Sequence, residues 1–228
     1  MEAVSPTSSD PDAGNLFNTR IIARRILSSK TVELSLRKPP GFAFAPGQRV
    51  RLKLGQAWRD YSIASAPAEE TLRLCIREVP GGLLSPQLAG APEGAALTFT
   101  GPHGYFTFKA SPRSAVFVAT GTGVAPFRSM AAAGVSGFTL LHGVEQAEEL
   151  YYHNFLKTRA AAYVACLSGG RPAPVAHHAG RVTGYIENRL PRRACDFYLC
   201  GRQEMIRDAT LLIDEGFQGS LVYSEAFY

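Results

Sequence analysis

The sequence predicts two domains of different architecture: an antiparallel β-barrel or sandwich, followed by an α/β unit built on a parallel sheet. Three observations predict it. Residues 20–108 read as short strands between turn signals, later segments alternate continuous apolar runs with helical stretches, and the pattern changes near residue 110. The length of 228 residues suits two compact domains. With 46% hydrophobic and 19% charged residues the chain is not a largely disordered or collagen-like one. No stretch approaches the roughly 20 consecutive apolar residues of a membrane helix.

Residues 1–14 are rich in Ser, Pro and Asp, lack the basic and apolar regions of a secretory signal, and read as a disordered leader. In residues 15–110, Thr31 to Arg37 and Leu72 to Arg77 alternate apolar and polar side chains, as half-buried strands do. Pro39-Pro40-Gly41, Ala45-Pro46-Gly47, Gly81-Gly82 and Gly101-Pro102-His103-Gly104 supply the turns. A short helix is expected at Ser85-Pro86, with Ser85 as its cap. In residues 111–228, apolar strands are expected over 115–119, 138–142, 162–167 and 197–200. Helices are expected from Pro126 and over 148–159, 181–189 and 203–215, which implies crossovers on a parallel sheet.

The formal charge is +5, and residues 20–60 hold ten Lys/Arg against Glu33 and Asp60, a local excess of +8. Such a surface fits an acidic partner or a phosphorylated cofactor, although ordinary solvated strands read the same way. Four scattered cysteines without a C-x-x-C pair exclude a disulfide scaffold, a zinc ribbon or a self-held iron–sulfur cluster, and point to a reducing cytoplasm. The pair His177-His178 reads as a solvated loop rather than a metal site, His103 as a turn residue, and Trp58 as packing either at the edge of a flat ligand or in the core or surface.

Two segments carry chemistry. From Thr120 a strand meets Gly121, Thr122 and Gly123, then a helix opening with Ala125 and Pro126; helix N–H groups and the dipole there favour a dinucleotide pyrophosphate. No Gly-Lys-Ser/Thr follows, so this is not a P-loop. In the first half, Arg59, Asp60, Tyr61 and Ser62 lie on or beside a strand whose alternation sends Arg59 and Tyr61 to one face and Ser62 to the other. A guanidinium suits a diphosphate, and a tyrosine ring covers a flat heterocycle.

Together these motifs resemble the ferredoxin–NAD(P) reductase family of flavoenzymes. Its R-x-Y-S is met by Arg59, Tyr61 and Ser62, and its T-G-T-G-x-A-P-F by residues 120–127. Cys75, Ile76 and Arg77 resemble its C-V-K/R strand; Gly81, Gly82, Leu84 and Ser85 resemble its G-G-x-x-S turn; Cys200-Gly201 and the tail from Glu225 to Tyr228 complete the set. The resemblance implies that residues 15–110 form an FAD-binding barrel and 111–228 an NAD(P)-binding α/β domain. It places Arg59, Tyr61, Ser62, Cys75, Ile76, Arg77, Gly81, Gly82, Leu84, Ser85, Thr122, Phe227 and Tyr228 at or near FAD, with the backbone of residues 75–77 on the flavin and Phe227 as a ring lid. Thr120, Gly121, Thr122, Gly123, Ala125, Pro126, Cys200 and Gly201 then belong to the NAD(P)H site. Ser62, Cys200 and Glu225 are implied as catalytic residues, and no metal is implied.

The implied activity is hydride uptake from NAD(P)H and single-electron delivery to a separate acidic ferredoxin or flavodoxin-type carrier by a monomeric cytoplasmic enzyme, with no nucleic-acid partner. Other readings are a flavin or ferric reductase without a protein partner, and a nucleotide-sensing flavoprotein subunit. The family's C-x-x-x-x-C-x-x-C cluster motif is missing. Its Ser-Arg clamp for a 2′-phosphate is replaced by Ser168, Gly169 and Gly170; Arg171 comes late, and Arg181 is followed by Thr183 where the clamp has Tyr. NADH is therefore slightly favoured over NADPH.

Overall fold

A computed structural model describes residues 15–55, 57–170 and 173–227, so the expectations for residues 1–14, Arg171 and Tyr228 fall outside the described residues. The first half holds β1 (Leu16–Ser28), β2 (Thr31–Arg37), β3 (Arg49–Leu54), β4 (Ala57–Ser62), β5 (Thr71–Arg77), α1 (Ser85–Gly90) and β6 (Ala96–His103). These strands form an antiparallel sheet in the order β4-β3-β6-β1-β2-β5. Its two edges meet where Ile63, just past β4, bridges to Leu74 of β5, which closes the sheet toward a barrel. The long strand β1 makes this possible: residues 16–20 pair with β6, residues 21–28 pair with β2, and a bulge lies between Ile21 and Ala23. Phe42, Leu52, Leu74, Ile76 and Phe99 are buried inside.

The second half holds β7 (Ser114–Thr120), α2 (Ala125–Ala132), β8 (Thr139–Val144), α3 (His153–Lys157), β9 (Ala162–Leu167), β10 (His178–Ala179), α4 (Val182–Asn188), β11 (Cys195–Arg202), α5 (Gln203–Gly216) and β12 (Leu221–Phe227). Its parallel sheet runs β10-β9-β8-β7-β11-β12. Both faces are covered, as continuous apolar strands require. Phe117, Phe127 and Phe138 stack on the α2 side with centroid separations of 4.5 and 4.4 Å, and Val118, Leu199, Ile186 and Ile213 fill the α4–α5 side.

The halves are packed together. Ala64, Cys75 and Phe106 of the first half share one apolar cluster with Phe127 and Tyr151 of the second. The Tyr151 hydroxyl donates to Thr31 Oγ1 at 2.8 Å, Arg128 donates to the Ala64 carbonyl at 2.8 Å, and Ser129 donates to the Ser65 carbonyl at 2.6 Å.

Two expectations need correction. Residues 148–159 are not one helix: a 3₁₀ turn over Ala147–Glu149 and the short α3 are separated by Tyr152, whose φ of 58° is left-handed. Ser85 is not a cap. It is the first helical residue, Leu84 holds the cap position, and the Ser85 hydroxyl accepts the N–H of Val79 at 3.0 Å.

Candidate active site at the junction of the two sheets

In the parallel sheet the chain moves outward from β7 through β8 and β9, then returns on the other side of β7 in β11 and β12. The crevice beyond the carboxyl ends of β7 and β11 is therefore a topological switch point, where open α/β sheets bind ligands. Thr120, Gly121, Thr122 and Gly123 stand at the end of β7, and Cys200 and Gly201 near the end of β11. A 3₁₀ turn over Gly121–Val124 leads into α2, with Pro126 in the first turn.

The glycines explain how the two strand ends come so close. A Cβ on Gly123 would overlap the Cys200 carbonyl oxygen and lie 2.6 Å from its carbon and 2.8 Å from Gly201 Cα. Gly201 has φ +136°, and a Cβ there would overlap Thr120 Oγ1. That hydroxyl accepts the Arg202 N–H at 3.0 Å, so Thr120 knits β7 to β11 with its side chain. Thr122 is half-buried, while Ala125 and Pro126 are buried within α2. Gly121 has φ +52° and open space around it, the nearest group being Arg77 Nη1 at 3.9 Å from the place of a Cβ.

Beneath the turn, His142 is fully buried. Its Nε2 lies 3.3 Å from the Gly121 carbonyl, which can only accept, so Nε2 carries the proton and Nδ1 accepts the Tyr163 hydroxyl at 2.8 Å. Burial pushes this imidazole down to about 4, which keeps it neutral.

On the barrel side, β4 places Arg59 in solvent, donating to the Trp58 carbonyl at 2.7 Å. Tyr61 is half-buried, and burial pushes its hydroxyl up to about 12 against the charge of Arg59. Ser62 faces the other way and is buried, as alternation requires. Its Oγ donates to Glu225 Oε1 at 2.7 Å, although 163 residues separate the two in sequence. Glu225 is 9% exposed and pairs with Cys200 in the β11–β12 register. Burial raises the Glu225 carboxyl above its ordinary range despite Ser62 and Arg49, with Asp60 adding to the rise. The Cys200 thiol is pushed well up by burial and by the Glu225 charge. Ser62, Cys200 and Glu225 thus come together as a buried hydroxyl, thiol and carboxylate where the two sheets meet.

The other candidates divide by what their side chains do. Cys75 and Ile76 are buried in the packing, and burial pushes the Cys75 thiol up to about 12, so only their backbone is available to a ligand. Arg77 is half-buried and faces Gly121. Gly82 closes a turn by donating to the Val79 carbonyl at 2.9 Å; Gly81 has φ +73° and nothing near the place of a Cβ; Leu84 is buried. Phe227 is half-buried and pairs with Arg202. Trp58 lies under Lys53 Nζ, 5.3 Å from the ring centre, and His103 ends β6 with a 2.9 Å contact to Thr100 Oγ1. His177 is exposed, with Nδ1 accepting the Ala165 N–H at 3.1 Å.

The donor set fits a flavin dinucleotide. An exposed guanidinium suits its diphosphate, a half-buried tyrosine ring suits its flat heterocycle, and Gly81 and Gly121 leave open space for close approach to backbone.

Sequence reasoning missed Arg49 and His142. Arg49 bonds both Glu225, from Nη1 to Oε2 at 3.3 Å, and Asp60, from Nε to Oδ2 at 3.0 Å. The place of Arg49 opposite Ser62 is read only from the β3–β4 register. Nothing in the spacing ties His142 to Gly121.

Residues 18–108 match the family model of the oxidoreductase FAD-binding domain, and residues 117–210 that of the oxidoreductase NAD-binding domain. Ferredoxin–NADP reductase B of Sorangium cellulosum is 35% identical over 219 residues, covering 83% of this chain and 88% of that protein. The toluate 1,2-dioxygenase electron transfer component of Pseudomonas putida is 32% identical over 244 residues, covering 100% of this chain and 71% of that protein. Among solved structures, a ferredoxin NADP+ reductase from Neisseria gonorrhoeae with bound FAD and NADP has a TM-score of 0.84 at 20% identity, covering 93% of this chain and 99% of that one; this likeness shows the fold.

Proposed function

The chain belongs to the ferredoxin–NAD(P) reductase family of FAD-containing oxidoreductases, and on that premise we propose that it takes electrons from NAD(P)H and passes them singly to a separate ferredoxin-type carrier. The observation that carries this reading is the meeting of Ser62, Cys200 and Glu225 where the barrel abuts the carboxyl ends of β7 and β11. FAD supplies the chemistry when bound, because a flavin takes up electrons in pairs and releases them one at a time.

The protein's task is to bind, orient and exclude water. Arg59, Tyr61, the backbone of residues 75–77 and the turn containing Gly81, Gly82 and Leu84 hold the dinucleotide, with Ser85 fixing that turn through Val79. Phe227 would cover the ring and yield to nicotinamide. The turn from Thr120 to Gly123, with Ala125, Pro126 and Gly201, receives the nicotinamide nucleotide, and Thr122, Cys200 and Glu225 orient its ring. Ser62 donates to Glu225 at rest and is available to bond the reacting edge of the flavin. Holding donor and acceptor in a near-attack geometry requires no protein nucleophile.

The basic excess over residues 20–60 favours an acidic ferredoxin or flavodoxin-type carrier. One chain supplies all the reaction-site residues, which is compatible with a monomer. Four buried free thiols suit a reducing cytoplasm, and among the described residues no helix is long and apolar enough to cross a membrane. We also propose the domain division at residue 110, which is supported by its falling in the connection between β6 and β7.

We assign NADH as the preferred donor. A Cβ on Gly169 would overlap the Gln146 amide and the Glu145 carbonyl, so this position has no room for the guanidinium that a 2′-phosphate wants. Anaerobic mixing should bleach the yellow flavin colour with either nucleotide, and kcat/KM should favour NADH. A purified protein that binds no FAD, or is not bleached, overturns the reading as a reductase. A kcat/KM ratio about tenfold or more in favour of NADPH, worth about 1.4 kcal/mol, overturns the donor assignment alone.

A further inference from the structure

The Glu225 carboxylate has two charged or hydroxyl donors that come from neighbouring barrel strands. Ser62 on β4 reaches Oε1, and Arg49 on β3 reaches Oε2 at 3.3 Å. Arg49 is directly opposite Ser62 in the β3–β4 ladder, so its side chain leaves the barrel on the same face. Its Nε bonds Asp60 Oδ2 at 3.0 Å, and Arg51 Nε bonds the other Asp60 oxygen at 2.7 Å. A continuous polar chain therefore runs from the partly exposed Arg51 and Asp60, through Arg49, to the buried Glu225 and Ser62.

The surrounding backbone leaves room for this guanidinium. Gly104 has φ +87°, and a Cβ there would lie 2.6 Å from Arg49 Nη1 and 3.4 Å from Glu225 Oε2. Gln48 Nε2 donates to the Gly104 carbonyl at 3.0 Å, which pins the loop in place. An ordinary surface ion pair is worth little. This one differs because the carboxylate is buried, its strand β12 belongs to the other sheet, and removing one donor leaves a buried charge undersupplied.

We infer that Arg49 is a positioning residue for the reaction site: by bridging Asp60 of the barrel to Glu225 of the last strand, it keeps the Glu225 carboxylate ionised and held on Ser62. The inference rests on the proposed role of Ser62 and Glu225. It adds a residue outside the recognised motifs and a direction of effect for each partner. The groups facing Glu225 are Arg49 from β3, Asp60 and Ser62 from β4, and Cys200 from β11. Arg49 and Ser62 pull its carboxyl down, whereas burial and Asp60 push it up.

The test follows Glu225 itself in the FAD-loaded protein, by infrared or carbon-13 titration of its carboxyl, identified by its loss in Glu225→Gln. In Arg49→Met the titration should move up by about one pH unit or more, and Arg49→Lys should restore most of it. In Asp60→Asn it should move down, since a negative neighbour is gone. The acid limb of the flavin-reduction rate should follow each shift, with kcat changing more than KM. A Glu225 titration unmoved in Arg49→Met, or one that rises in Asp60→Asn, overturns the inference. Should Arg49→Met not fold, the upward shift expected of Arg49→Gln, which lacks the charge, and the downward shift of Asp60→Asn still decide it. Full-rate flavin reduction by Glu225→Gln would instead overturn the reaction-site reading beneath it.

Discussion

Ser62→Ala is expected to slow flavin reduction by NADH about 100-fold while leaving FAD bound, the scale of losing one preorganised donor at a reaction site. The hydroxyl is buried, donates to Glu225 at 2.7 Å, and is the barrel's nearest polar group to the tail carboxylate. Alanine fits the backbone, so β4 keeps its register and the proposed contacts of Arg59 and Tyr61 with the dinucleotide are unaltered. Losing the bond leaves Arg49, among the described residues, as the remaining side-chain donor to Glu225, at a stability cost on the order of 1–3 kcal/mol. Burial already raises the Glu225 carboxyl and Ser62 opposes the rise, so the variant should lose ionised Glu225 at a higher pH than the parent. Stopped-flow reduction at several pH values checks both points. A full-rate variant removes Ser62 from the mechanism.

Gly123→Ala should damage the nucleotide site without touching the flavin side. The added methyl has no flexible side chain to displace, because its neighbours are the Cys200 carbonyl and Gly201 Cα. Either β11 moves away from β7 or the turn opens, and overpacking of this kind costs about 1–3 kcal/mol. The turn's N–H groups then lose their common aim, so KM for NADH should rise about tenfold or more, equivalent to about 1.4 kcal/mol. FAD content should stay at the parent level, since the barrel residues are unaltered. Gly90→Ala serves as the control, having open space at the place of its Cβ and ordinary backbone angles. Parent-like melting and KM in Gly123→Ala would contradict the packing argument.

Much of this architecture was legible in the residues. The change from period-two strands to continuous apolar runs located both sheets, and the glycines after Thr120 marked the turn at the switch point. Tertiary geometry was not legible. The expected helix over 148–159 breaks because Tyr151 turns to bond Thr31 in the other half and Tyr152 takes a left-handed conformation, neither of which leaves a periodic trace. Ser85 has the composition of a cap, yet its hydroxyl serves the Val79 turn. Arg49 sits in a basic run that reads as a solvated face, and its role appears only when β12 is laid against the barrel. The family resemblance implies Glu225 as a catalytic residue, whereas its bond to Ser62 spans 163 residues and needed the fold.

In the proposed function, electrons leave this protein singly to an acidic carrier docked on the basic barrel. The most direct test is cytochrome c reduction by NADH with and without an acidic ferredoxin, across a range of ionic strength. Turnover is expected only when the ferredoxin is present, falling steeply as screening shortens the reach of the charges to about 8 Å near physiological salt. Equal turnover without ferredoxin, or turnover with ferredoxin that ignores salt, would contradict it.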